Sequence, residues 1–172
     1  MQQDILSELV AMSNHLGDPA RDYAILGEGN TSARADAETF WVKASGAELR
    51  TMQATDCVLM RFEPVLELLD AGDLDDAMLK ARLDAAKVDP TVHVRPSVET
   101  VLHALALQLE GVNFVGHTHP TAVNVLLCSI RAEEAVAGRL FPDEIVLCGP
   151  ASVYVPYTDP GLPLARAIRE SI

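Results

Sequence analysis

The amino-acid sequence predicts an α/β protein, a sandwich of helices around a central sheet. Segments with helical spacing and segments with strand-like patterning mix along the whole chain. No internal repeat or low-complexity tract interrupts them. The 172 residues, 49% of them hydrophobic, suffice for one domain with a real core, and 1–172 is read as a single domain. Periodicity alone leaves the direction of the strands open.

The elements follow in order. Gln2 to Gly17 places Ile5, Leu6, Leu9, Val10 and Met12 at helical spacing, with Gly17 as the stop. Asp18-Pro19 opens a second short helix. Tyr23–Leu26 is a short apolar strand, and Gly27–Ser32 is turn-rich. Thr39–Lys43 and Asp56–Phe62 are strands. Pro64 to Asp89, rich in Asp, Leu and Ala, reads as two helices broken near Gly72. A helix runs from Ser97 to Leu109, a strand from Val112 to Thr118, and helices from Pro120 to about Cys128 and from Ala132 to Leu140. Val146-Leu147 and Val153–Val155 read as strands, and Leu162 to Ile172 as the last helix.

Composition excludes several functions. A net charge of −12, from 25 acidic and 13 basic residues without a dense cationic cluster, repels polyphosphate and argues against nucleic-acid binding. One small phosphate remains possible, because a nest of backbone N–H groups needs no net positive charge. Cys57, Cys128 and Cys148 are odd in number and far apart, so they read as reduced thiols in or near a core, which suits the cytoplasm. The N-terminus does not read as a signal peptide, and no apolar run reaches the length of a membrane span.

Chemistry concentrates in three places. In Gly116-His117-Thr118-His119-Pro120 the histidines are two apart on a strand, so both imidazoles face one side, and Pro120 puts them at the strand's end. Two imidazoles suit Zn²⁺, although a third protein ligand is normal; the same spacing also fits two polar strand-end histidines without a metal. Glu99 sits at the start of the helix that precedes this strand. It either complements the helix dipole or, if the turn folds it back beside the histidines, ligates a metal or moves a proton. His103, four residues on, reads as an orienting or core histidine. Gly27-Glu28-Gly29-Asn30-Thr31-Ser32 and Lys43-Ala44-Ser45-Gly46 are loops that let a backbone approach a ligand, though each alone is an ordinary turn. Neither is a Walker A loop or a complete dinucleotide fingerprint.

Taken in order, GEGNTS, KASG, PSVET and HTHP resemble the class II aldolase/adducin family, whose known enzymes are fuculose-phosphate aldolases and ribulose-phosphate 4-epimerases. The likeness spans nearly the whole chain. It implies an α/β/α sandwich with a largely antiparallel central sheet, and a fourfold-symmetric homotetramer. It implies a phosphate site lined by Asn30, Ser45, Gly46 and Ser97, with Glu99 as the catalytic carboxylate. His117 and His119 would be two of three histidines on Zn²⁺ or another divalent metal, which would polarise a carbonyl and stabilise the enediolate of carbon–carbon cleavage.

The implied activity is a metal-dependent aldolase, a lyase of carbohydrate metabolism acting on a small phosphorylated sugar. The alternatives are an epimerase or dehydratase on the same scaffold, or a non-catalytic interaction domain as in adducin. Glu99 favours aldolase over epimerase, since the ribulose-phosphate epimerases typically carry Asp there.

Two departures stand out. The family's third histidine lies in a strand beyond the helix that here ends at Ile172, and so does the C-terminal segment that often completes a neighbour's site. His15, His93 and His103 occupy no matching position, so the expectation is that Glu99 serves as third ligand at rest and that zinc binding and turnover are weak. Phe62 to Arg95 is longer than the corresponding link in the small aldolases: a lid, an insertion or an assembly surface.

Overall fold

The computed structural model describes residues 2–172, with side chains from Asp4 onward. Helix α1, Gln2–Leu16, buries Leu9 completely. It ends at Gly17, whose N–H donates to Ser13 O at 2.8 Å. Glycine is required there: a Cβ would stand 2.2 Å from the backbone N of Arg50. A 3₁₀ turn, Pro19–Arg21, follows, with the Asp18 carboxylate accepting from Ala20 N at 3.0 Å.

Four strands form one sheet: β1 Asn30–Arg34, β2 Thr39–Lys43, β3 Cys57–Arg61 and β4 Phe114–His117. Their order is β3-β2-β1-β4 and every pairing is antiparallel, as the resemblance implied. The helices after β3 are α2 Phe62–Leu66, α3 Asp76–Ala85, α4 Thr100–Ala106, α5 Thr121–Leu127, α6 Ala132–Val136, α7 Pro142–Cys148 and α8 Leu162–Ser171.

Strand alternation sorts the side chains into two cores. On one face Ala33 and Cys57 pack with Leu9 of α1 and Met52, and Trp41 and Phe114 border them. On the other face Phe40, Val42, Val58 and Met60 meet Val65 of α2, Leu79 and Leu83 of α3, Val101 and Ala104 of α4, and Ala165 of α8. Helices therefore cover both faces in an α/β/α sandwich.

The structure corrects several expectations. Tyr23–Leu26 is not a strand: Leu26 has φ 55°, is 82% exposed, and belongs to a turn closed by Glu28 N on Ile25 O at 3.1 Å. The strand is instead Asn30–Arg34, whose first three residues read as turn in the sequence. Polar strand residues can be buried there because each meets a polar partner: Thr31 Oγ1 lies 2.7 Å from Ser13 Oγ, and Ser32 Oγ 2.8 Å from His103 Nδ1. The helix expected over 97–109 is regular only over Thr100–Ala106. Val146 and Leu147 lie in α7, and Val153–Val155 are irregular, so neither segment forms a strand. Cys128 and Cys148 are exposed, and only Cys57 lies in the core. From Thr121 to Asp159, Ala132 is the one buried residue.

Candidate metal and anion site

The site rests on a match between a strand and a helix. Asn30, Ser32 and Arg34 share one face of β1, each about 6.6 Å beyond the last. Their partners, Glu99, His103 and Leu107, are spaced by four residues, a step of about 6 Å along a helix. Asn30 Nδ2 donates to Glu99 Oε2, Ser32 Oγ meets His103 Nδ1, and the Arg34 guanidinium donates to the Leu107 carbonyl. The nearly equal steps lay α4 alongside β1 and fix Glu99, its N-cap residue, at the strand's beginning.

β4 brings the histidines to the same place. His117 is paired with Asn30 across the β1–β4 ladder. His119, just past the strand, is held by its backbone N–H on Tyr23 O at 2.8 Å. The two Nε2 atoms are 3.0 Å apart. On the opposite side of each ring stands a carboxylate: Glu99 Oε2 is 3.4 Å from His117 Nδ1, and Glu28 Oε2 is 3.9 Å from His119 Nδ1.

This arrangement fits one edge of a metal site. Two nitrogens on a tetrahedral Zn²⁺ at its usual bond length stand about 3.3 Å apart, and metal-binding imidazoles generally turn their other nitrogen to a carboxylate or carbonyl. Glu99 reaches His117 from the Nδ1 side, behind the ring, rather than from the side where the two Nε2 atoms meet. Among the described residues, no three His, Cys, Asp or Glu side chains converge as a ligand set. The two histidines could hold a metal through their Nε2 atoms, and Glu99 stands behind one of them at Nδ1.

Electrostatics fix the protonation states. The close approach of His117, 3.4 Å away, outweighs burial, which acts the other way. The Glu99 carboxyl is left below the usual range, so it is ionised at neutral pH. Burial pushes His103 down to about 3, and its ring is neutral. His103 Nε2 is buried without a hydrogen-bond partner. Lys43, 2% exposed, donates to the Ala47 carbonyl. Burial lowers its pKa, while Glu99 and Asp56 raise it.

The expected phosphate residues fall into two groups. Ser97 Oγ accepts from Glu99 N at 3.3 Å, and Asn30 turns to the same glutamate. Ser45 lies beside this segment: its N–H donates to Arg95 O at 2.8 Å, and Ala44 bridges to Pro96. Ser45, Pro96 and Val98 line a cavity of about 440 Å³. Gly46, at φ 83°, turns the loop without lining that cavity. Sequence reasoning missed Glu28, Lys43, Lys80 and Arg95. Lys43 had a legible signal, a lysine at a strand end directly before a glycine turn.

The description "Class II Aldolase and Adducin N-terminal domain" fits residues 7–172. The chain belongs to the class II aldolase and adducin family. A relative from Bacillus subtilis strain 168, named as the uncharacterized oxidoreductase YuxG, is 31% identical over 175 residues. That match takes in 97% of this class II aldolase-family chain and 23% of YuxG, so the chain spans about a quarter of that relative's length. The N-terminal class II aldolase domain of a conserved Thermoplasma acidophilum protein superposes with a TM-score of 0.75 at 26% identity, over 97% of this chain and 75% of that one. L-fuculose-1-phosphate aldolase from Thermus thermophilus shares the fold, with a TM-score of 0.63 at 17% identity, over 99% of this chain and 71% of that enzyme.

Proposed function

We propose that the site carries out metal-assisted aldol cleavage of a phosphorylated ketose, with His117 and His119 holding Zn²⁺ or another divalent cation. The observation that supports it is the pair of Nε2 atoms 3.0 Å apart with a carboxylate behind each ring. When bound, the metal would supply Lewis-acid polarisation of a substrate carbonyl.

The chain's own residues supply the rest. Asn30 and His117 engage Oε2 of Glu99, so that oxygen is committed to positioning. Oε1 has no hydrogen-bond partner among the described residues and is the atom that takes a proton. Because the carboxyl is ionised at neutral pH, Glu99 begins as a base. It removes the proton of the substrate hydroxyl as the carbon–carbon bond breaks, then returns a proton to the carbon fragment. Burial keeps His103 neutral behind this pair, and Ser32 Oγ fixes the ring at Nδ1, so no second charge competes for the proton. On this reading the substrate phosphate lies against Ser45, with Gly46 and Ser97 in the adjoining segments. On this reading the protein works in the cytoplasm as a homo-oligomer.

Two histidines make a weak metal site, so the test uses metal in excess. Phosphorylated ketoses are incubated with Zn²⁺, Mn²⁺ or Co²⁺ and the aldehyde product is measured. Metal-dependent cleavage that falls about 10²–10⁴-fold in Glu99→Gln, with metal binding retained, supports the reading. Metal uptake without cleavage counts against the aldolase step, whereas no metal uptake, or uptake unaffected by His117→Ala, removes the whole reading.

A further inference from the structure

The cavity beside Ser45 has a second wall that the family motifs do not supply. Lys80, Ala81 and Asp84 come from α3, and Arg95 from the segment just before Pro96, all within the stretch 62–95. We propose that Lys80 and Arg95 form an oxyanion subsite in this cavity, which takes the phosphate or carboxylate at the end of the substrate remote from the histidines. The proposal rests on the anion-binding half of the reading above and is independent of its metal.

Charge is the first argument. In a chain of net charge −12 most cations are engaged: Lys87 with Asp84, Arg169 with Asp70, and Arg131 with Glu134. Lys80 and Arg95 have no side-chain partner among the described residues. Lys80 and Asp84 are four apart on α3, a spacing that normally permits a helical ion pair. Asp84 instead turns its carboxylate to Lys87 Nζ, 2.6 Å away, and Lys87 is further fixed on Val92 O at 2.8 Å. Among the described residues, the only acid lining the cavity is therefore already paired, and two cations without a partner line it as well.

Position is the second. The Arg95 backbone is fastened to the Ser45 loop through Ser45 N–H on Arg95 O, so its guanidinium starts from an ordered base. An arginine fork matches the two oxygens of a carboxylate or phosphate, and a lysine adds a mobile point charge. The cavity of about 440 Å³ lies within the range for small-molecule sites. The long segment between β3 and α4, which carries Lys80, would then be a specificity wall.

The test is titration of the intact chain with inorganic phosphate, sulfate and acetate, followed by NMR shifts and thermal stabilisation. Lys80→Gln, Arg95→Gln and the double variant are compared with Arg82→Gln, a partnerless exposed cation of α3 that does not line the cavity. The expected result is phosphate binding weakened about tenfold in each single variant and lost in the double, with Arg82→Gln unchanged. A preference for acetate over phosphate would identify the terminal group as a carboxylate. Equal weakening by Arg82→Gln would show only diffuse charge and overturn the proposal. Binding lost in Ser45→Ala but kept in the double variant would overturn it while leaving the proposed function standing. No anion binding by the wild-type chain would also overturn it. Metal uptake, measured separately, reports on the histidine pair alone.

Discussion

Asn30 and His117 stand opposite each other across the β1–β4 ladder, and both turn their side chains to the same oxygen of Glu99. A strand pair thus holds a carboxylate that belongs to neither strand. Asn30→Ala removes the amide donor from a half-buried carboxylate and is expected to destabilise the fold by roughly 1–3 kcal/mol. The Glu99 pKa should rise, and the acid limb of the cleavage profile should move to higher pH. Asn30→Asp should cost more, because it sets a second negative charge against the first. Urea denaturation and the pH–rate profile check both; an unmoved acid limb in Asn30→Ala would separate Asn30 from the carboxylate's function.

His103 makes stability depend on pH. Its pKa in the folded chain is about 3, against 6.5 when free, because the buried ring resists charge. Between those values the unfolded chain binds a proton that the folded chain excludes. The contribution is therefore full above about pH 6.5 and is lost as pH falls toward the folded value. Urea midpoints between about pH 7 and about pH 5 should fall steadily in the wild type and much less in His103→Gln. Parallel lines for the two proteins would refute the burial account. Glu99, whose pKa is lowered, adds its own loss only at more acid pH.

The cysteines should divide by reactivity. Burial, followed by the nearby Asp56 charge, pushes the Cys57 thiol up to about 12. Cys128 and Cys148 are exposed. Mass spectrometry after iodoacetamide near neutral pH should find both of these alkylated and Cys57 labelled only in denaturant. Rapid labelling of Cys57 in the native protein would show that the α1 face opens.

The segment after β4 should be an interface. Ile130 is 104% exposed, Leu140 93%, Val146 81% and Leu147 82%, a concentration of apolar surface on α5–α7 and their loops. Light scattering is expected to give a mass above the 18.5 kDa of one chain. Ile130→Asp with Leu147→Lys should lower it. A monomer at high protein concentration would contradict the homo-oligomer.

Sequence by itself determined the parts that rest on local chemistry. Alternation in Thr39–Lys43 put Phe40 and Val42 into one core, and helical spacing in Gln2–Leu16 put Leu9 into the other. The two-residue step from His117 to His119 brought both rings to one place, and PSVET with HTHP pointed to Glu99, which lies beside His117. Hydrophobic pattern could not reveal β1, because Asn30, Thr31 and Ser32 are buried through polar partners on α1, on α4 and at its cap, not through apolar contact. It misread Val146-Leu147 for the opposite reason: β-prone residues sit on an exposed helix whose apolar surface this chain alone does not cover.

Only the tertiary structure decided what Glu99 does relative to the histidines. Its side of approach, at His117 Nδ1, depends on α4 lying along β1 with nearly equal steps, and no local motif encodes the distance between two elements 69 residues apart. The same holds for Lys80 and Arg95. They are ordinary surface cations in the sequence, and the fold brings them to line one cavity with Ser45, whose acid, Asp84, is paired with a buried lysine that only packing places beside it.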